Sequence, residues 1–178
     1  MSDVMLDLET MGNGPRAAIV AIGAVEFDLG SGTVNDDFFY RVVDLDSAMR
    51  LGGEVDASTV TWWLQQSDAA RAMFSTRGVP MVAALLDFAA WLRSREDAGG
   101  VRVWGNGASF DNVILASAYK SAMMPQPWKF WNDHCYRTVK ALHPAVEMER
   151  VGVHHNAVAD AESQARHLIR MLASGESK

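Results

Sequence analysis

The sequence has little cysteine and no long hydrophobic run. Cys135 is its only cysteine, which excludes an internal disulfide and a zinc site built from several cysteines. Acidic residues interrupt every apolar stretch before it reaches the roughly 20 residues of a membrane-spanning helix. The first residues also lack the basic segment and apolar core of a secretory signal. These absences predict a protein of the reducing cytoplasm with no attachment to a membrane.

Basic residues are in the minority. The chain has 16 Lys and Arg against 22 Asp and Glu, a formal net charge of −6. A protein that grips long duplex nucleic acid through many phosphates needs a basic face, so the composition disfavours that class. An enzyme that acts on nucleic acid is not excluded, because acids that converge on divalent cations reverse the local sign of the charge.

Length and periodicity predict one α/β domain over residues 1–178, with a frayed tail at 174–178. Apolar runs followed by a Gly-Ser-Gly turn indicate a strand and a hairpin, after which helix and strand alternate. This order fits a ribonuclease-H-like fold, a mixed five-stranded sheet flanked by helices. The predicted strands are Val4–Thr10, Ala17–Phe27, Phe38–Val43, Val101–Trp104 and Trp128–Asp133. The predicted helices are Ser58–Gln66, Pro80–Arg95, Ser109–Met124, Arg137–Leu142 and Ala159–Leu172.

Asp7 and Glu9 are the first candidate functional residues. They lie two residues apart on a predicted strand, so both side chains leave the same face while Leu6 and Leu8 enter the other. Similar pairs of acids occur elsewhere in the chain, and a solvated strand edge explains most such pairs. This pair differs because its strand is apolar and expected to be central, where ionised carboxylates are unfavourable unless a metal or a partner neutralises them.

Two later segments add acids and a histidine. Asp111 follows a predicted strand and a glycine-bearing turn, where an acid most often caps a helix. His155 lies five residues before Asp160 in a loop that runs into the last helix. A surface histidine and a capping acid would explain this pair, but the same turn could place an imidazole and a carboxylate around one centre.

Together these segments resemble the DEDD exonuclease superfamily, in its subgroup with a catalytic histidine. The matching residues are Asp7 and Glu9 in the first motif (Asp-x-Glu-Thr), Asn106, Phe110 and Asp111 in the second, and His155 and Asp160 in the third (His-x4-Asp). Their order and separations agree over nearly the whole chain. The segment 60–67 directs the resemblance to the small phage and bacterial exonucleases related to exodeoxyribonuclease VIII and to mycobacterial-type exoribonucleases.

The resemblance implies a 3′ to 5′ exonuclease that releases nucleoside 5′-monophosphates from single-stranded RNA or DNA ends. Such hydrolysis requires an activated water and neutralised phosphate charge, which two divalent ions about 4 Å apart supply. Carboxylates favour Mg²⁺ or Mn²⁺. We therefore expect Asp7, Glu9, Asp111 and Asp160 to bind two metal ions, with Asp7 as the bridge. His155 is expected to accept a proton from the attacking water.

Candidate substrate contacts surround these motifs. In related enzymes the segment at Thr10 and Met11 lies beside the terminal nucleotide, although Met11 also suits a core position. Trp62 and Trp63 point about 100° apart on a helix, so one should pack inward while the other stacks on a base or forms an interface. Phe110 is either a base contact or a core anchor, and we expect the anchor.

The remaining histidines and acids have ordinary explanations. His154 adjoins His155 but lies one residue too far from Asp160 for the motif. We expect Glu162 to be solvated, because it points about 200° away from Asp160 on the helix. The other histidines are expected to be at the surface or partly buried; they are His134, His143 and His167.

Two other functions are compatible with parts of the pattern. A ribonuclease-H-fold endonuclease also uses clustered acids, but the pairing of His155 with Asp160 disfavours it. A non-catalytic nucleic-acid-binding module is disfavoured because every motif position carries a competent residue. The choice between RNA and DNA stays open, and a homodimer is expected from the resemblance alone.

Overall fold

The computed structural model describes residues 1–95 and 99–175. Its centre is a five-stranded mixed sheet with the strand order β3-β2-β1-β4-β5. The strands are β1 (Ser2–Thr10), β2 (Ile19–Asp28), β3 (Thr33–Val42), β4 (Val101–Gly105) and β5 (Asp133–Cys135). The first three pair antiparallel, whereas β4 runs parallel to both β1 and β5. The predicted mixed sheet is confirmed, and the acid-bearing β1 is its central strand.

Helices cover both faces of this sheet. They are α1 (Leu45–Arg50), α2 (Ala57–Leu64), α3 (Asp68–Arg71), α4 (Met81–Arg93), α5 (Asp111–Ser121), α6 (Tyr136–Leu142) and α7 (Ala157–Gly175). Short 3-10 segments occupy Ala72–Ser75 and Phe130–Asn132. No helix within the two described ranges is long and apolar enough to cross a membrane.

The two faces of β1 enter two different cores. Leu6 joins the larger core together with Leu85 of α4, whereas Met5 joins the smaller core together with Leu168 of α7. Side chains alternate along a strand, so Asp7 leaves β1 on the same side as Met5. The acids of β1 therefore face the helix that carries the last motif.

The predicted fifth strand at Trp128–Asp133 is wrong in its position. Most of that segment forms an irregular turn and a 3-10 segment, and the strand begins only at Asp133. The indole of Trp128 donates to Asp133 Oδ1 at 2.7 Å, and the side-chain amide of Asn132 donates to the Val101 carbonyl at 3.1 Å. These side-chain hydrogen bonds stabilise the turn. The segment is rich in aromatic residues, which are typical of strands, and the sequence therefore predicted a strand there.

Other boundaries also differ from the prediction. β3 begins at Thr33 rather than at Phe38, because its first half is a polar edge strand that carries no apolar signal. Neither α1 nor α3 was predicted, since both are too short for helical periodicity to show. Residues 174 and 175 of the predicted frayed tail continue α7, while residues 176–178 lie outside the described part of the chain.

Candidate active site

Four acids from three parts of the chain line one cavity of about 220 Å³. Asp7 and Glu9 come from β1, Asp111 is the first residue of α5, and Asp160 lies in the first turn of α7. Carboxylate oxygens of Asp7, Glu9 and Asp160 lie within 4.8 Å of one another. Asp111 adjoins them from the other side, where its Oδ1 accepts a hydrogen bond from the Leu8 N–H at 3.1 Å. The structure thus brings together all four acids proposed as metal ligands.

Glycine at the end of β4 allows Asp111 to approach the sheet. A Cβ atom at Gly105 would lie 2.3 Å from Asn112 Oδ1 and 3.2 Å from Asp111 Oδ2. Asn112 fixes the first turn of α5, because its side-chain amide donates to the Val103 carbonyl at 2.9 Å and to Asp133 Oδ1 at 2.8 Å. The start of α5 is therefore held directly against β4, with Asp111 aimed at β1.

Glu9, Asp111 and Asp160 are buried and Asp7 is half-buried, and burial perturbs the pKa values of the first three acids along the chain. Burial raises the pKa of Glu9 to about 8, and the charges of Asp160 and Asp111 add to this rise. Burial also raises the pKa of Asp111 to about 7, against hydrogen bonds from the backbone that lower it. The pKa of Asp7 is raised by burial and by the neighbouring acids, while a hydrogen bond from Gln164 opposes the rise. Among the described residues, Glu9 Oε1 and Asp111 Oδ2 are buried without a hydrogen-bond partner.

His155 lies at the same cavity. Its backbone has φ +63°, in the left-handed region, and its N–H donates to Asp160 Oδ2 at 2.9 Å. Burial lowers the pKa of the imidazole, and so does the charge of His154, while Asp160 acts in the opposite direction. The imidazole is therefore mainly uncharged at pH 7, and the uncharged form is the one that accepts a proton.

His154 also lines the cavity. Its ring stacks on that of His155, with 3.7 Å between the ring centroids and 26° between the planes. Ring nitrogens of both histidines lie within 4.8 Å of an Asp160 oxygen. His154 is the more exposed of the two. Sequence spacing distinguished the two histidines, but both are within reach of the acids.

Sequence reasoning did not find four polar residues at this cavity. Gln164 donates from Nε2 to Asp7 Oδ1 at 2.8 Å, and Arg150 donates to Asp160 Oδ1 at 2.9 Å. Arg137 and Lys140 line the cavity from α6. Helical spacing could have indicated Gln164, one turn after Asp160, and the basic pair three residues apart on α6. Arg150 lies outside any regular element, so no periodic signal marks it.

A second cavity of about 390 Å³ adjoins the first, with which it shares Leu8, Glu9 and Phe110. Trp62 and Trp63 both line it. Trp63 is the inward residue of the pair, 3% exposed, and its indole donates to the Thr10 carbonyl at 2.9 Å. Trp62 is 40% exposed and leaves an aromatic surface open to the cavity.

The other residues expected to contact substrate also divide between cavity-lining and core positions. Thr10 lines the second cavity, and its hydroxyl donates to the Gly12 carbonyl at 2.8 Å. Phe110 packs against the core and also lines both cavities. Met11 belongs to the larger core and lines neither of these two cavities, but it lines a third cavity of about 570 Å³ together with Trp63 and Phe74. Its contact with the terminal nucleotide stays a prediction.

His167 is fully buried rather than at the surface or partly buried. Its Nε2 lies 2.7 Å from the Val146 carbonyl oxygen, and its Nδ1 lies 2.7 Å from the Tyr136 hydroxyl. A carbonyl only accepts, so Nε2 carries the proton and Nδ1 accepts from the tyrosine. The expectation for His167 is wrong. Two hydrogen-bond partners allow the polar ring to be buried, and neither partner can be identified from the sequence. Glu162, in contrast, forms an ion pair with Arg166 on α7 at 2.7 Å.

Acids and a histidine at the end of the central strand of such a sheet define a ribonuclease-H-like nuclease. Among solved structures, the nuclease domain of 3′hExo, a DEDDh family member bound to rAMP, matches with a TM-score of 0.66 at 14% identity, over 98% of this chain and 92% of that one. Escherichia coli exonuclease I with a bound oligonucleotide matches with a TM-score of 0.60 at 18% identity, over 99% of this chain but only 41% of that one.

The sequence comparisons identify the family. The exodeoxyribonuclease of Enterobacteria phage T4 is 27% identical over an alignment of 164 positions, which covers 80% of this chain and 72% of the phage protein. Residues 2–172 match the family described as the 3′-5′ exoribonuclease Rv2179c-like domain, and the chain belongs to that family. It is a nuclease of the DEDD superfamily with 3′ to 5′ exonuclease activity, as the motifs predicted.

Proposed function

We propose that the chain acts as a single exonuclease domain that removes nucleoside 5′-monophosphates from the 3′ ends of single-stranded RNA or DNA. The observation that carries this proposal is the meeting of Asp7, Glu9, Asp111 and Asp160 with His155 around one cavity. A homodimer and a cytoplasmic location remain predictions from the sequence.

The four acids suit a pair of divalent ions. All donors are carboxylate oxygens, which favour Mg²⁺ or Mn²⁺. Two of these oxygens, Glu9 Oε1 and Asp111 Oδ2, are buried without a partner, a state that is unfavourable unless a cation binds there. We assign Asp7, Glu9, Asp111 and Asp160 as the ligands. When bound, the ions neutralise charge on the scissile phosphate and lower the pKa of the attacking water.

We assign proton transfer and orientation to the groups around these ligands. His155 accepts the proton of the attacking water, a role that its lowered pKa supports because the free base is the form present at pH 7. Gln164 holds the Asp7 carboxylate through its hydrogen bond to Oδ1. Asp160 fixes the backbone of His155 through Oδ2. Gln164 and Asp160 both belong to α7, so this one helix holds both the Asp7 carboxylate and the backbone of the base.

The two cavities provide room for the end of a strand. We place the terminal nucleotide in the second cavity, where Trp62 offers a stacking surface and Thr10 and Phe110 form part of the wall. Base stacking on an aromatic side chain is worth about 1–3 kcal/mol and tolerates any base. The cavity thus suits a strand end without demanding one sequence.

Basic side chains face the acids across the first cavity. Arg137, Lys140 and Arg150 line it, although the chain as a whole carries a net charge of −6. We assign Arg137 and Lys140 to the phosphates next to the cleaved one, because both are exposed and extend from the same helix. Arg150 is ion-paired with Asp160, so the two exposed basic residues of α6 are the ones available to a polyanionic substrate.

Digestion of end-labelled oligomers tests the proposal. Matched single-stranded RNA and DNA with a 5′ label are incubated with Mg²⁺, Mn²⁺ or EDTA. We expect a ladder that shortens by one nucleotide per step with either ion and no cleavage in EDTA. Asp7→Asn should abolish the ladder, whereas Asp36→Asn, an exposed acid on β3, should leave it intact. Internal fragments would instead support the endonuclease, and binding without cleavage would support the non-catalytic module.

A further inference from the structure

We propose that Trp62 is a positioning residue for His155: its indole holds the imidazole in the orientation in which it accepts a proton. This inference rests on the proposed function of His155. No hydrogen bond to either ring nitrogen of His155 occurs within residues 1–95 and 99–175. The ring instead contacts aromatic neighbours, and Trp62 meets it edge to face with 4.8 Å between centroids and 83° between planes.

The backbone of His155 is fixed independently of its ring. The left-handed φ of +63° and the N–H hydrogen bond to Asp160 at 2.9 Å settle where the side chain begins. They do not fix the two side-chain torsions of His155, which depend on the residues that contact its ring. His154 stacks on it, but His154 is exposed and belongs to the same loop, so it offers no independent support.

Trp62, in contrast, is tied to the core. It lies 4.9 Å from Trp63 in an edge-to-face contact. Trp63 is buried, donates to the Thr10 carbonyl and makes a further edge-to-face contact with Phe74 at 5.2 Å. Trp63 also meets the imidazole directly, edge to face with 6.1 Å between centroids, so both tryptophans of α2 contact the ring and Trp62 is the nearer of the two. An anchored indole restricts the imidazole, because edge-to-face pairs have a preferred geometry.

A role in stacking alone would have a different signature. If Trp62 only binds a base, its loss weakens substrate affinity and leaves the rate constant of the bound substrate unchanged. If it positions His155, its loss lowers that rate constant, and the loss disappears once His155 is absent. Both roles are compatible in one side chain, so affinity and rate constant must be measured separately.

The experiment combines single-turnover kinetics with a double-mutant cycle. We expect Trp62→Leu to lower the rate constant at saturating enzyme by about 3- to 10-fold, the range that the loss of one aromatic pair allows. Trp62→Phe should restore most of the rate, because a phenyl ring keeps an aromatic contact. In the His155→Ala background, Trp62→Leu should cause no further loss. Trp131→Leu is the control, since Trp131 is 65% exposed and its nearest aromatic partner is Phe130.

Two kinetic outcomes would overturn the inference. One is an unchanged rate constant in Trp62→Leu, and the other is an equal loss with and without His155. Nuclear magnetic resonance of the imidazole, assigned with His155→Ala, gives a readout that needs no activity. The His155 ring signals should shift or broaden in Trp62→Leu and not in Trp131→Leu. Unchanged ring signals would refute the positioning role, whereas an inactive wild type with the expected shifts would refute the proposed function alone.

Discussion

Gly23 of β2 lies against Ala157, the first residue of α7, and a Cβ atom on that glycine would be 2.2 Å from the Ala157 carbonyl carbon. Gly23 also pairs with Asp7 in the β1–β2 ladder. The absence of a side chain at this one position lets the first turn of α7 rest on the sheet. Asp160 is one turn further along, so this contact sets its distance from Asp7.

The variant Gly23→Ala should therefore separate the acids. The three nearest atoms are the carbonyl carbon and oxygen of Ala157 and the nitrogen of Val158, all of them backbone. The helix α7 must therefore move, and overpacking of this kind costs about 1–3 kcal/mol. We expect a lower melting temperature and a loss of exonuclease activity of at least about tenfold, the usual scale for misplaced catalytic groups. Gly14→Ala is the matched control, because a Cβ atom there would be 3.9 Å from its nearest neighbour. Full activity in Gly23→Ala would show that the position of α7 is not critical.

Removal of the proposed base should affect turnover and spare binding. His155→Ala is expected to lower the rate constant by about 10²-fold or more, the usual range for a general base. His154→Ala is the informative comparison, because both rings line the cavity. Affinity is measured in parallel with Ca²⁺ in place of Mg²⁺. A larger loss in His154→Ala than in His155→Ala would transfer the assignment to His154.

The pH dependence of turnover follows from the same ring. Burial lowers the pKa of His155 below its usual 6.5, and only the unprotonated ring accepts a proton. We therefore expect activity at saturating Mg²⁺ to decline on acidification with its midpoint below pH 6.5. The measurement is the single-turnover rate between pH 5 and 8. A decline that begins well above pH 7 would contradict this assignment.

Without metal, the stability of the protein should fall as pH rises from about 4.5 to about 8. The folded-state pKa values of Glu9 and Asp111, about 8 and about 7, exceed their ordinary values of 4.5 and 3.8. A carboxyl group with a raised folded pKa stabilises the fold below its unfolded pKa and loses that contribution as pH rises from the unfolded to the folded pKa. In EDTA the melting temperature should decrease from about pH 5 to about pH 8 and level off above it.

Two controls isolate the acids in this measurement. Glu9→Gln should flatten the decrease, because glutamine does not titrate. Saturating Mg²⁺ should raise the melting temperature most at the alkaline end, where the carboxylates are ionised and bind the ion best. A melting temperature in EDTA that is constant over this range would contradict the raised pKa values.

Lys140 should contribute to affinity and not to chemistry. Its side chain lines the first cavity and is exposed, so it is available to a substrate phosphate. Lys140→Ala should weaken binding of a single-stranded oligomer and reduce the slope of log affinity against log salt by about 0.7, the value for one phosphate contact on a single strand. Lys120→Ala, an exposed lysine on α5, should leave the slope unchanged. An unaltered slope in Lys140→Ala would exclude the contact.

The neighbouring tryptophans should differ in stability. Trp63→Ala removes a side chain that is 3% exposed and donates a hydrogen bond to Thr10, and we expect a loss of about 3–5 kcal/mol. Trp62→Ala, from a residue that is 40% exposed, should cost about 1 kcal/mol or less. Urea denaturation of the two variants checks the difference. Equal losses would remove the distinction between a core residue and a cavity residue.

The parts of the fold that were predicted correctly depend on local patterns. Alternation along β1 placed Asp7 and Glu9 on one face without any knowledge of the partner strands. The order of the three motifs then brought Asp111 and Asp160 to the same site. The strand at Trp128 was predicted incorrectly because the conformation of that segment depends on side-chain hydrogen bonds. One of them joins Asn132 to the Val101 carbonyl, 31 positions away, and a short stretch of sequence does not reveal such a partner.

The residues that support the site also differ in whether a local sequence pattern or only tertiary packing reveals their role. Gln164 reaches Asp7 across 157 positions of the chain, so its role becomes visible only when α7 is seen against β1. Met11 belongs to a motif segment, yet the packing beneath α2 takes its side chain into the core. Sequence identified the acids and the histidine that line the cavity, while the residues that contact them became visible only through tertiary packing.

The wide separation of the acids along the chain has a consequence for biosynthesis. Asp7 and Glu9 leave the ribosome first, but Asp160 and Gln164 follow only after about 150 more residues have been translated. A growing chain that already carries its first two carboxylates therefore lacks the other residues of the cavity. The proposed ion site cannot form before α7 has been translated.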